Sequence, residues 1–336
     1  MSEYCIGIIG ALGAVGKQMR EILPQSDLDI GQVKMFERPE LAGEPAEFDG
    51  EEIVCEEATP EALGECDVAT MSAGSGASKE IAPMAAEAGC VVVDNSSQWR
   101  MDPDVPLVVP EVNPEDLDWH DGIVANPNCS TIQMVVALEP LHEEYGIERV
   151  VVSTYQAVSG SGVDAIEELD RQSESIVKGE DPESEVYPHR IAFNALPHID
   201  VFRDNGYTKE EMKMVNETEK IMEESISVSP TAVRLPIYRS HAEAVNIQAK
   251  KSIDVDEARE LLRNKSSVVV QDEPEENEYP LPIEAEGKDE VFVGRIRKDP
   301  TIENGLNFWV VSDNLRKGAA LNTVQIAETM ADRCII

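Results

Sequence analysis

Basic side chains are scarce in this chain. Lys and Arg number 28 against 66 Asp and Glu, a net charge of −38 over 336 residues. A nucleic-acid backbone would be repelled by such a surface, so no nucleic-acid partner is expected. Aromatic residues are also few, at 5%, and acidic composition with few aromatics can signal disorder. Here, however, 42% of the chain is hydrophobic. The acids lie between regular apolar segments, as in EEIVCEEATPEALGECD and QDEPEENEYPLPIEAEGKDE. That texture predicts a folded protein with a hydrated acidic surface, as in a salt-adapted prokaryote. At molar salt the Debye length is about 3 Å, and the self-repulsion of such a surface is largely screened. No apolar run approaches the ~20 residues of a membrane span, and no basic leader precedes the first apolar segment, so neither membrane insertion nor secretion is expected. The six cysteines, Cys5, Cys55, Cys66, Cys90, Cys129 and Cys334, form no CxxC pair and no zinc-like spacing. A chain of this size needs no disulfide framework, so a reducing cytoplasm and no metal are expected.

What is present is an alternation of strands and helices. Tyr4–Ile9 reads as a buried strand, followed by a glycine turn and a helical pattern from Val15 to Leu23 that stops at Pro24. Apolar strands follow at Val33–Phe36, Val68–Ser72, Val91–Val93 and Leu107–Val109, with a helix at Ser78–Ala88. Such βαβ units imply a Rossmann-type parallel sheet. Beyond residue 127 the texture changes. Longer strands at Arg149–Tyr155, Ala244–Ala249, Val291–Ile296 and Leu306–Val311 accompany acidic helices at Asp164–Val177 and Lys209–Glu224. These predict a second, α+β domain. An amphipathic helix over Lys317–Asp332 is placed to return to the first. The expected division is 1–127 with 313–336 against 128–312.

Three local patterns carry chemistry. Gly10, Gly13 and Gly16 lie between a strand and a helix, where backbone N–H groups and the positive helix end can hold a pyrophosphate. A tight strand–helix turn is the simpler alternative. Glu37 ends the second strand where NAD enzymes often hold ribose hydroxyls, while Arg38 beside it suits a 2′-phosphate. Cys129, in Asn126-Pro-Asn-Cys-Ser-Thr131, directly precedes the helical run Ile132–Leu141. A thiol at a helix start feels the macrodipole, which favours thiolate; most cytosolic cysteines are nonetheless structural. A cysteine beside a nicotinamide makes chemical sense. A carboxylate resists hydride, and a thioester formed by displacing phosphate accepts it. Such an enzyme also needs an acid/base and cations, and Arg234 and His241 stand together in RLPIYRSHAEAVNIQ.

Taken together, NPNCSTIQMVVALEPL, VVSTYQAVSGSG, IAFNALPHIDVF, RLPIYRSHAEAV, FVGRIRKD and WVVSDNLRKGAALNTVQIAE closely resemble the aspartate-β-semialdehyde dehydrogenase family, from Tyr4 to Glu328. The resemblance implies a Rossmann domain, a catalytic domain that also dimerises, and a returning C-terminal helix. It implies Cys129 as nucleophile, His241 as acid/base and Gln156 as the group orienting the acyl chain. It further implies that Arg234 binds the substrate carboxylate, Glu210 and Lys213 meet its ammonium and the phosphate, Arg100 is a second phosphate contact, and Asn128 holds the substrate. Cofactor contacts are implied for Gly10, Leu12, Gly13, Ala14, Val15, Gly16, Glu37, Arg38, Ser72, Gly74, Ser159, Gly160 and Asn314. The implied activity converts L-aspartyl phosphate to aspartate semialdehyde, with release of phosphate, in lysine, threonine and methionine biosynthesis. The implied assembly is a homodimer, with a tetramer as the alternative. The family mostly uses NADP. This chain departs from its pattern at Leu12, where threonine is usual, and at Glu37–Glu40, which replace serine and arginine; NAD is therefore the alternative cofactor. Another phosphate- or CoA-linked acyl reductase of the same architecture, such as N-acetyl-γ-glutamyl-phosphate reductase, is the alternative activity.

Overall fold

The first apolar run forms strand β1 (Tyr4–Ile9) at the centre of a parallel sheet in the computed structural model, which describes residues 3–336. Two compact units emerge, residues up to Asn128 with Gly318–Ile336, and Cys129–Lys317.

In the first unit β1 leads through the glycine turn into α1 (Ala14–Ile22). The chain continues through β2 (Ile30–Glu37), β3 (Pro45–Phe48), β4 (Glu51–Val54), β5 (Glu56–Glu57), α2 (Pro60–Leu63), β6 (Val68–Met71), α3 (Gly74–Glu87), β7 (Val91–Asp94) and β8 (Ile123–Ala125). The sheet order is β5-β2-β1-β6-β7-β8, every pairing parallel. Its central strands read as continuous apolar runs because both faces are covered. β2 and β6 flank β1 on opposite sides, so the strand order reverses there and a crevice opens at the carboxyl ends. Gly16 is fixed by packing. A Cβ on it would lie 2.1 Å from the Gly10 carbonyl oxygen, so only glycine lets α1 start against the turn.

The second unit opens with α4 (Cys129–Tyr145) and β9 (Ile147–Gln156). It then runs through α5 (Val163–Lys178), α6 (Lys209–Met222), β10 (Ser227–Arg234), β11 (His241–Ala249), α7 (Val255–Arg263), β12 (Val268–Val270), α8 (Pro282–Ala285), β13 (Val291–Asp299) and β14 (Gly305–Ser312). Its mixed sheet has the order β10-β9-β11-β14-β13-β12, with β9/β10 and β12/β13 parallel and the rest antiparallel. α4 packs against β9, β11, β13 and β14. It is apolar almost all round, as a helix buried on every side must be.

Two expectations need correction. Leu107–Val109 is no strand. Only Leu107 bridges to Ala125, because Pro106 and Pro110 remove the N–H groups a ladder would use; the edge strand is β8. The C-terminal helix does not run unbroken from Lys317. A π turn over Arg316–Ala320 precedes α9 (Leu321–Asp332). Leu321, Val324, Ala327 and Met330 of α9 join Met19, Ile22 and Val93 in the core of the first unit. No helix among the described residues is long and apolar enough to cross a membrane.

Candidate active site

Cys129 is the first residue of α4, and no acid lies in that first turn. The segment leading into it is anchored by a relay of asparagines in the first unit. Asn126 Nδ2 donates to Asn95 Oδ1 (2.7 Å), and Asn322 Nδ2 donates to Asn126 Oδ1 (2.6 Å) and to the Val108 carbonyl (3.1 Å). The returning helix α9 therefore contributes a polar clamp as well as an apolar face. Asn95 and Asn322 carry no local sequence signal, since they lie 31 and 196 residues from Asn126, the residue that each of them bonds.

In the second unit the β9/β10 pair ends on Gln156 and Arg234, which lie opposite each other in register. β11 begins on His241, so three polar residues come together at one end of three neighbouring strands. Gln156 Nε2 lies 3.0 Å from Ser130 Oγ, 3.2 Å from Thr154 Oγ1 and 3.2 Å from Glu210 Oε1. It thus ties the residue after Cys129 to the start of α6. α6 is set by a capping box in which the Thr208 hydroxyl accepts from the Glu211 N–H and Glu211 accepts from the Thr208 N–H. Glu211 Oε1 also accepts the Ala232 N–H at 2.9 Å, clipping the helix to β10.

Arg234 Nη1 donates to the Ala157 carbonyl (2.6 Å), but its buried Nε has no hydrogen-bond partner. His241 Nδ1 accepts the Ala157 N–H at 3.1 Å. That bond places the imidazole proton on Nε2, which is buried and without a partner. Burial first, then the Arg234 guanidinium, lowers His241 to about 3, so the ring is neutral. Glu210 behaves oppositely. Burial pushes its carboxyl up, but Lys213 at 2.9 Å, Gln156 and Arg234 outweigh that and hold it near about 2. Lys213 also faces Asp200 at 3.4 Å. Two buried donors without partners, Arg234 Nε and His241 Nε2, near the ionised Glu210 suit a ligand that carries hydrogen-bond acceptors.

Gly160 keeps that space open. A Cβ there would lie 2.9 Å from Arg234 Nη1 and 3.4 Å from His241 Nε2. Asn314 accepts the Ser240 N–H (2.9 Å) and donates to Ser159 Oγ (3.0 Å), fixing the loop that presents His241. Ser159, Gly160 and Asn314 are therefore placed around His241 in the second unit.

The first unit holds a cleft of about 530 Å³ lined by Gly10, Leu12, Gly13, Glu37, Arg38 and Ser72, with Ile9, Leu41, Ala73, Ala77 and Ile81. Ala14, Val15 and Gly16 form the first turn of α1, and Gly74 opens α3. The start of α1 has no side-chain cap and no acid, so its N–H groups are open to an anion. That chemistry fits a dinucleotide pyrophosphate. Glu37 Oε1 accepts the Leu12 N–H at 2.8 Å, folding the carboxylate back onto the glycine turn. Arg100, in the loop after β7, is almost fully buried and donates to the Asn95 carbonyl at 2.9 Å; Asn128 is likewise buried.

Residues 5–120 match the family model described as semialdehyde dehydrogenase, NAD binding domain, and residues 138–317 match semialdehyde dehydrogenase, dimerisation domain. The aspartate-semialdehyde dehydrogenase of Aquifex aeolicus is 53% identical over 338 residues, covering 99% of each chain. The chain belongs to the aspartate-semialdehyde dehydrogenase family. Among solved structures, aspartate semialdehyde dehydrogenase II from Vibrio cholerae, complexed with ASA, superposes with a TM-score of 0.95 at 43% identity and 99% coverage of both chains. The family enzyme from Candida albicans, solved with NADP, gives 0.80 at 26% identity over 100% of both. Membership makes the chain an oxidoreductase with a nicotinamide-cofactor domain, and the parallel sheet, mixed sheet and returning helix are the family's architecture.

Proposed function

We propose that this chain catalyses the reductive dephosphorylation of L-aspartyl 4-phosphate to L-aspartate 4-semialdehyde through a thioester on Cys129, in lysine, threonine and methionine biosynthesis. The observation that carries the reading is the pair of buried donors without partners, Arg234 Nε and His241 Nε2. Arg234 meets the substrate α-carboxylate with its planar fork. Glu210, held ionised, meets the ammonium, while Lys213 and Arg100 meet the phosphate. Asn128 and Gln156 hold the acyl chain.

Cys129 thiolate, steadied by the first turn of α4, attacks the acyl carbon. A C–S bond forms, the C–O bond to phosphate breaks, and phosphate departs with the bonding pair. The nicotinamide cofactor, when bound, supplies the hydride that turns the thioester into a thiohemiacetal. Neutral His241 acts at Nε2, the atom that carries its proton, by donating to the oxygen that gains charge at each tetrahedral stage. On collapse the thiohemiacetal hydroxyl gives its proton back to His241 Nε2, the C–S bond breaks with its pair returning to sulfur, and the aldehyde leaves.

NADP is the proposed cofactor. Gly10, Gly13 and the first turn of α1, with Leu12, Ala14, Val15 and Gly16, would hold its pyrophosphate, and Arg38 its 2′-phosphate. Ser72, Gly74, Ser159, Gly160 and Asn314 would complete the cofactor contacts. Glu37 weakens the electrostatic case, since its carboxylate lines the same cleft; comparing kcat/KM for NADPH and NADH tests it, and a clear NADH preference overturns the assignment. We further propose a cytoplasmic homodimer, in keeping with the dimerisation-domain match, adapted to high salt in keeping with a net charge of −38. The experiment for the activity itself is phosphate-dependent oxidation of aspartate semialdehyde across a salt series. Preference for the N-acetylated glutamate homologue overturns the substrate, and activity peaking below ~0.1 M salt overturns the salt adaptation.

A further inference from the structure

Glu243 is a buried acid that the mechanism above does not use. Its side chain is fully inaccessible, and neither carboxyl oxygen has a hydrogen-bond partner. It lies two residues after His241 on β11, so the two side chains leave the same face of the strand. Its cross-strand neighbours, Thr154 on β9 and Val310 on β14, are uncharged. Thr154 in turn receives Gln156 Nε2 at 3.2 Å.

α4 packs against β11. Its Gln133 is four residues after Cys129, one turn along the same helix face. The Gln133 amide faces the Glu243 carboxyl, and its buried Nε2 has no partner of its own. Glu243 and Gln133 therefore stand one step behind His241 and Cys129, each on the element that carries the reacting group. Burial pushes the Glu243 carboxyl well above its ordinary range, so it keeps its proton. A carboxylic acid and a primary amide are complementary, each offering one donor and one acceptor to the other.

We propose that Glu243 is a positioning residue that pairs, as a neutral acid, with Gln133 and fixes the helix of Cys129 to the strand of His241. In the proposed pair the acid O–H would donate to Gln133 Oε1 and Gln133 Nε2 to the acid carbonyl, satisfying the three buried polar atoms that otherwise have no partner. No proton passes to substrate. The pair sets the spacing between nucleophile and proton donor. The inference rests on Cys129 and His241 having the roles proposed above.

The test uses Glu243→Gln, Glu243→Met and Gln133→Leu in the full-length protein at a fixed high salt. The amide in Glu243→Gln preserves both hydrogen bonds, so kcat should stay within about threefold of the native value. Glu243→Met and Gln133→Leu should each lower kcat about 10- to 100-fold, with the KM for aspartyl phosphate nearly unchanged. The double variant Gln133→Leu/Glu243→Met should be no worse than either single one, because they remove one contact. Alkylation of Cys129 by iodoacetamide should slow in Gln133→Leu and recover in Glu243→Gln. Native kcat in Gln133→Leu overturns the pairing. Loss of kcat in a folded Glu243→Gln overturns the neutral acid, even if Glu243→Met fails to fold. Retained turnover in Cys129→Ser would instead bring down the underlying mechanism, so the two failures are separable.

Discussion

The cleft of the first unit and the polar site of the second are built in opposite ways. The polar groups of the cleft are chiefly backbone, at Gly10, Gly13 and an uncapped helix start, with apolar walls such as Leu12, Leu41 and Ile81 and with Glu37 and Arg38 as its charged side chains. The second site is made of side chains buried almost completely, Arg234, His241, Glu210 and Gln156, each holding or facing another. A backbone cradle tolerates changes in the side chains around it. A buried network loses a member only by stranding the partners left behind. Substitutions should therefore separate the two regions, altering turnover in one and cofactor preference in the other.

The largest expected effect is Cys129→Ser, which should lower kcat by about 10⁴-fold or more while cofactor binding, followed by nicotinamide fluorescence, stays intact. Robust turnover in that variant removes the thioester from the account. Next is Arg234→Lys. A point charge replaces a planar fork, and kcat/KM for aspartyl phosphate should fall about 100-fold. Gly160→Ala should follow at about 10-fold in kcat/KM, because the new methyl group occupies space beside Arg234 and His241. The smallest change lies in the cleft. Glu37→Gln removes a negative charge and should raise kcat/KM for NADPH about fivefold, with NADH little changed. An equal effect on both cofactors would show that Glu37 acts only by shaping the glycine turn.

Acidity offers another way to separate buried groups. His241 is lowered to about 3 from 6.5, so the unfolded chain takes up that proton first. Its contribution to stability is complete above 6.5 and is lost as pH falls towards 3. Glu210, near about 2 against 4.5, contributes fully above 4.5 and loses that contribution below it. Glu243 has the reverse sign. Its raised value means folding is opposed increasingly as pH rises above 4.5, where the unfolded side chain ionises. Thermal melts should therefore show Glu243→Gln gaining Tm over the native protein as pH rises. A difference that does not vary with pH would place an ionised carboxylate in the core.

Features with a short sequence reach were legible. The strand, glycine turn and helix at the start of the chain, and the helix opening on Cys129, are written in adjacent residues. The hairpin of β3 and β4 is also written in adjacent residues. Asp49-Gly50, with φ of 48° and 80°, is a two-residue turn between β3 and β4, lost among flanking acids. The Asn95–Asn126–Asn322 relay and the burial of Glu243 were not legible. Both depend on contacts between distant segments, and an asparagine on a helix or a glutamate in a strand is ordinarily a solvated residue. The i,i+3 spacing of Glu210 and Lys213 says nothing of burial; only the resemblance marks the pair, and the fold buries the acid against Gln156. Leu107–Val109 looked like a strand because burial alone produces the same apolar run.

The most direct measurement is of the acyl-enzyme. Mixed with aspartate semialdehyde and the oxidised cofactor in the absence of phosphate, the native protein should accumulate an aspartyl adduct, which peptide mass spectrometry maps to Cys129. Added phosphate should discharge it. Reduced cofactor formed in a burst with no adduct, or with an adduct on any other residue, would contradict the account.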